Sequence, residues 1–271
     1  MDERTAALLA DEDSRASMAA NEFDREFLAA HLADERRKAS LLGEIREAIF
    51  GAQDGLVSTL AVVSTVAGAS TDRYVVLIAG IASGLAGIFS MAAGEYIGSK
   101  SQREIFEAQI VDERDEVHQR PGEAEAEIAY LLEADGLPRD EAVQVAARLA
   151  RHPEVMLKTM VEKELGLIVE PEEGSPLQGA LVMGAAFGLG VLPPLLPHLF
   201  LTGMAAVIAS VALTMAVLFG IGVVKSRWTH RSWWSSGLEI LALGAFAGIA
   251  GYFFGNLLPT LLGVPEAAGL G

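Results

Sequence analysis

The sequence predicts an all-α, polytopic membrane protein with five transmembrane helices. It also predicts a cytosolic acidic helical domain inserted between helices 2 and 3. Three observations carry this. Of 271 residues, 51% are hydrophobic, yet acids outnumber bases 36 to 20, for a net charge of −16. The two properties are segregated: 30 of the 36 acids fall in residues 1–44 (11) and 99–176 (19). Between and after those stretches lie apolar runs long enough to span a bilayer, since roughly 20 helical residues cross a ~30 Å hydrocarbon core. Such acidic surfaces attract cations and repel nucleic acid. The absence of cysteine excludes disulfides, zinc–thiolate sites and iron–sulfur clusters.

Residues 1–44 form an acidic tail. Asn21 is a possible cap for a helix over 22–40, with Phe23, Phe27, Leu28, His31 and Leu32 near one side. It reads as an amphipathic helix lying on the membrane or on the cytosolic domain. Residues 1–40 are charged throughout and lack the apolar segment of a signal peptide.

Residues 45–98 hold the first two spans, at about 45–68 and 74–98, joined by the short turn TDRY. The second carries Gly80/Gly84 and Gly94/Gly98, pairs at a spacing that lets helices approach closely. Residues 99–176 are polar. A helix over about 100–118 continues the second span, because no proline intervenes before Pro121. Three more helices follow, at about 123–135, from near Asp140 to about Arg151, and from Pro153 to near Gly166. Glu170 to Pro176 is a linker back to the membrane. Residues 177–262 hold spans at about 177–197, 202–224 and 236–262, the first of them short and ending in Pro193, Pro194 and Pro197. Gly244, Gly248, Gly251 and Gly255 give the last span packing surface, and Glu239 near its start reads as interfacial. Lys225 to Trp234 is a basic, tryptophan-bearing loop suited to a headgroup interface. Residues 263–271 are a tail.

Five spans put residues 1–44, 99–176 and 225–235 on one side. With Arg46, that side holds 19 of the 20 Lys and Arg residues, Arg73 being the exception. The positive-inside rule makes it the cytosol and puts the carboxyl terminus outside. A bacterial plasma membrane is the expected location.

Asp54 is the residue that most needs explaining. A carboxylate within a spanning helix costs ~2.5–3.5 kcal/mol on insertion scales and marks a polar pathway. Glu47, seven residues earlier, lies within ~20° of it on the same helix face. Met91 and Glu95 share a face of the second span at i, i+4. Carboxylates alone suit Mg²⁺, Ca²⁺ or Mn²⁺, and a thioether shifts preference towards Fe²⁺ and other late first-row ions. The competing reading makes Met91 packing filler and Glu95 a side chain snorkelling to the interface. In the polar insert, Glu113 and Glu116 are i, i+3, Glu123, Glu125 and Glu127 open the next helix, and Met160 and Glu164 repeat the Met/Glu pairing. Glutamates on an exposed helix also read simply as a solvated face. His118 follows Asp115 as Asp-x-x-His, once only, and no Glu-x-x-His pair of a di-iron bundle is present.

At IFGAQDGLVST (49–59) and SMAAGEY (90–96) the chain resembles the vacuolar iron transporter family, over roughly residues 42–262. The resemblance implies a homodimer with its ion path between subunits, proton-coupled export of Fe²⁺ and often Mn²⁺ from the cytosol, and makes the acidic insert a cytosolic helical metal-binding domain that binds the ion through Glu and Met. It needs no cofactor beyond the transported metal, and its partners are lipid, divalent ions and protons. Carried over by motif, the path includes Asp54 and Met91, with Glu47 and Glu95 beside them. The capturing ligands are Glu113, Glu116, Glu127, Met160 and Glu164. The family pattern asks for a further acid where this chain has Ala124, and Glu123 or Glu125 is the available substitute. Val161 stands at the family's second methionine, and Ser83 where some members carry an acid. A metal sensor or store without transport, and a membrane-bound ferroxidase, are the alternative functions.

Overall fold

The computed structural model describes residues 25–70, 72–166, 175–229 and 231–261. The expected cap at Asn21, most of the linker and the tail at 263–271 lie outside them. Every regular element among the described residues is a helix: α1 (Arg25–Ala69), α2 (Arg73–Gln119), α3 (Pro121–Ala134), α4 (Arg139–Leu149), α5 (Pro153–Glu164), α6 (Pro176–Phe200), α7 (Gly203–Thr229) and α8 (Trp233–Leu261). Residues up to Ile45 and residues from Arg46 are two separately compact units.

In the first unit Phe27, Leu28 and Leu32 are exposed. Phe27 stacks on His31, and Lys38 pairs with Asp34 at 2.8 Å and Glu35 at 3.3 Å. The predicted helix over 22–40 and the predicted first span belong to one α-helix; Gly43 does not interrupt it. A lone glycine costs only about 1 kcal/mol in a helix.

Four helices among the described residues are long and apolar enough to cross a membrane: α1, α2, α6 and α7. On α1 the buried residues Gly51, Gly55, Leu56, Thr59, Leu60, Val63 and Ser64 recur at helical spacing and make one stripe. Backbone contact explains its glycines. A Cβ on Gly51 would stand 2.5 Å from the carbonyl oxygen of Met183 in α6, and one on Gly55 would collide with the carbonyl of Phe187. Against α2, the same helix α6 sets Leu195 on Gly80, Val191 on Gly84 and the Phe187 ring on Gly87. Val63, Val76, Phe187, Val191 and Leu195 thus form one apolar cluster joining α1, α2 and α6. Gly80 and Gly84 act as their spacing predicts. Gly94 and Gly98 meet nothing within 4 Å.

α6 runs to Phe200, just past the expected end near 197 among its prolines. Pro193, Pro194 and Pro197 lie inside it. Each removes a backbone donor, but packing on neighbouring helices holds the segment. The Ser210 hydroxyl of α7 donates to the Pro194 carbonyl at 2.6 Å, and the Leu201 amide to that of Pro197 at 2.8 Å. The basic loop is also shorter than predicted, since α7 runs to Thr229 and α8 starts at Trp233. Glu239 pairs with Lys225 at 3.9 Å and Arg231 at 3.3 Å, tying the two helix ends together. α8 packs on α7 through Gly222 and Gly237, and Ile240 joins Leu56 and Leu218 in a second apolar cluster.

α2 runs unbroken for 47 residues, as the missing proline predicts, and its far end enters the polar insert. There Val117 of α2, Ala124 and Ile128 of α3, Ala146 of α4, and Met156, Leu157, Met160 and Val161 of α5 make a buried core. Burying a side chain such as Ile128 or Met160 contributes roughly 1.5–3 kcal/mol, so this core is what holds four helices in register.

Candidate metal-binding sites

Three acids of the polar insert are sequence neighbours of core residues. Glu116 precedes Val117, Glu123 precedes Ala124, and Glu127 precedes Ile128. Burying Val117, Ala124 and Ile128 therefore holds their acidic neighbours at the rim of one apolar core. Carboxylate oxygens of Glu116, Glu123 and Glu127 lie within 4.8 Å of one another. Oxygens bound to one ion at about 2.1 Å are at most about 4.2 Å apart, so a small rotation closes the set on a divalent cation. The turn between α2 and α3 makes this possible. Pro121 opens α3, and the Glu123 and Ala124 amides donate to the Arg120 carbonyl at 2.9 and 3.2 Å.

The electrostatics match the crowding. Burial, then the charges of Glu116 and Glu164 and a hydrogen bond shared with Glu116, raise the Glu127 carboxyl to about 7. Burial, then Glu164, Glu116 and Asp112, raise that of Glu113, whose Oε2 is buried without a hydrogen-bond partner among the described residues. Glu164 is exposed at the end of α5, close enough for its charge to act on both. Met160 is fully buried in the core beneath them. Between Glu123 and Glu125, the substitutes for Ala124 left open by the sequence, Glu123 joins the cluster and Ala124 itself packs in the core. Sequence reading missed Arg120, whose guanidinium binds Glu116 at 3.0 Å and Glu123 at 2.7 Å. Its place four residues after Glu116 and three before Glu123 was the available signal.

In the membrane-type helices Asp54 lines a cavity of about 130 Å³ with Phe50, Gln53 and Val57. All four residues are on α1, on a different face from Gly51 and Gly55. Phe50 is more than half exposed in an otherwise apolar stretch. Met91 packs against the Phe187 and Val191 cluster, and Glu95 accepts a hydrogen bond from the Ser99 hydroxyl at 2.6 Å; neither lines the Asp54 cavity. Glu47 is half-buried, its carboxylate against Gly179 of α6. His198, buried near the end of α6 with Nε2 lacking a partner among the described residues, carries no motif that would have flagged it.

A sequence profile described as the VIT family matches residues 45–256. Vacuolar iron transporter 1 of Eucalyptus grandis is 34% identical over 224 residues, covering 82% of this chain and 90% of its own. The protein of the same name from Oryza sativa is 32% identical over 217 residues, 80% of this chain and 86% of its own. That of Arabidopsis thaliana is 34% identical over 212 residues, 78% and 84% respectively.

Proposed function

Because this chain belongs to the VIT family, we propose that it transports Fe²⁺, with Mn²⁺ as a second cargo, out of the cytosol in exchange for protons. The relatives are named as transporters, and the family is one of metal-ion transporters rather than enzymes. The observation that carries the reading is Asp54. It is an acid in the middle of an apolar helix, and it lines a cavity instead of being packed away.

Capture falls to Glu113, Glu116, Glu123, Glu127 and Glu164, with Met160 as a soft donor beneath them. Carboxylates bind a divalent ion through oxygen, exchange it quickly, and take up protons when it leaves. Those properties support antiport. The path runs by Glu47 and Asp54, with Met91 and Glu95 on the neighbouring helix. Among the described residues the Asp54 cavity has walls from α1 alone. The reading therefore closes it with α1 of a second copy, making the transporter a homodimer. α8 serves as the fifth span, which puts α3, α4 and α5 with the amino terminus in the cytosol. The membrane is one that bounds the cytosol, vacuolar as in the named relatives or plasma as the sequence suggests.

Iron uptake into proteoliposomes under a pH gradient tests this. Asp54→Ala is expected to reduce Fe²⁺ flux to background while the acidic cluster still binds the ion. Wild-type flux in that variant rules out the route, and binding without flux in the wild-type protein favours a sensor or store.

A further inference from the structure

α1 and α6 meet along a seam of glycines facing backbone. Gly51 faces the carbonyl of Met183, Gly55 that of Phe187, and Gly190 that of Ala52. Towards the start of α6 the pattern changes. Gly179 faces a side chain, the carboxylate of Glu47. A Cβ on Gly179 would stand 3.0 Å from Glu47 Oε2, 3.2 Å from Oε1 and 3.3 Å from the carboxyl carbon. Both oxygens and the carbon are inside the roughly 3.5–4.0 Å at which non-bonded atoms pack comfortably. The whole carboxylate therefore occupies the space a side chain at 179 would fill.

Nothing in the backbone asks for glycine here. The positive-φ glycines among the described residues are Gly136, Gly166 and Gly203, and Gly179 lies inside regular helix α6. Within a helix glycine is less favourable than alanine, so the reason for it must be room. Glu47 in turn shares its helix face with Asp54, two turns further along α1. A carboxylate that hands on a divalent ion has to be held within about 0.5 Å of its productive position.

We propose that Gly179 is a positioning residue for the ion path: its missing side chain is the seat that holds the Glu47 carboxylate against α6, two turns before Asp54 on α1. The proposal rests on the reading of Glu47 as part of the iron route. Adding one methyl group at 179 pushes on both carboxylate oxygens at once, and a shorter acid at 47 relieves the push.

The test is Fe²⁺ flux in proteoliposomes over a range of Fe²⁺ concentrations. Gly179→Ala is expected to raise KM for Fe²⁺ on the order of tenfold, the size of effect seen when a group orienting a metal ligand is lost, with kcat little changed. Glu47→Asp combined with Gly179→Ala is expected to bring KM back towards wild type. Gly188→Ala is the control for crowding in general, because its Cβ would meet Ile88 of α2 at 3.1 Å and no acid. It is expected to leave KM unchanged. Equal effects of Gly179→Ala and Gly188→Ala, or failure of the double variant to recover, overturn the seat. The route fails separately: if Glu47→Ala alone leaves KM and kcat at wild-type values, Glu47 is not on the path. If Glu47→Ala is impaired and Gly179→Ala is not, the route stands and the seat falls.

Discussion

On the proposed reading the acidic insert and the apolar helices both offer carboxylates to a cation, with opposite completeness. In the insert, acids from α2 and α3 converge within one chain to 4.8 Å. In the apolar helices Asp54 has, among the described residues, only its own helix around its cavity, and Met91 packs into the cluster of α1, α2 and α6. The difference follows from the solvent each site faces. In the insert, a core of eight buried residues sets the acids and water covers the rest. Within a bilayer an uncovered carboxylate is costly, so an open Asp54 cavity calls for another wall, and the proposed second copy supplies it.

The largest effect expected should separate the two regions outright. Asp54→Ala abolishes flux without altering metal affinity in the insert, measured by titration calorimetry on the full chain in detergent. Loss of both together would mean that the sites are not separate. Next in size, Glu127→Gln is expected to weaken Fe²⁺ binding by about tenfold or more while flux at saturating Fe²⁺ remains.

Smaller again is a pH effect. An ordinary glutamate titrates near 4.5, and Glu127 is raised to about 7. Its charged form is the ligand, so affinity should fall as pH drops through about 7, with proton release on binding larger at pH 6 than at pH 8. Without metal the sign for stability is the reverse. The folded chain holds this proton more tightly than the unfolded one, so Glu127's contribution is most favourable below 4.5 and declines as pH rises through about 7. Thermal unfolding at several pH values, with and without Mn²⁺, reads both. The smallest effect belongs to the Lys163–Asp135 ion pair, which links α5 to the end of α3. Lys163→Gln should cost about 0.2–1 kcal/mol and leave affinity within twofold or so.

What was legible in the sequence follows the same division. The continuity of α2 was readable because it depends on the absence of proline, and Gly80 and Gly84 because close approach needs small residues at that spacing. The run of α6 past Pro197 to Phe200 was not, because it depends on packing against other helices and on Ser210, sixteen residues after Pro194. Similarly, spacing could not choose between Glu123 and Glu125. The choice is made by Ala124 entering the core, which swings Glu123 to the rim beside Glu116. Asp54 is legible because charge is rare in such a helix, whereas a methionine in an apolar run reads as filler or as ligand, and spacing does not show that Met91 packs on Phe187 and Val191.

The unbroken 47 residues of α2 make a stiff rod with Gly84 seated against α6 and Glu116 far along it. At 1.5 Å per residue those two points are ~48 Å apart. A rod pivoting at Gly84 by only ~5° would sweep its far end through ~4 Å, about the width of the carboxylate cluster. Slight rocking among the apolar helices would therefore carry the acidic cluster as one body, because Val117, Ala124 and Ile128 fix it to the end of the rod, with no hinge in between.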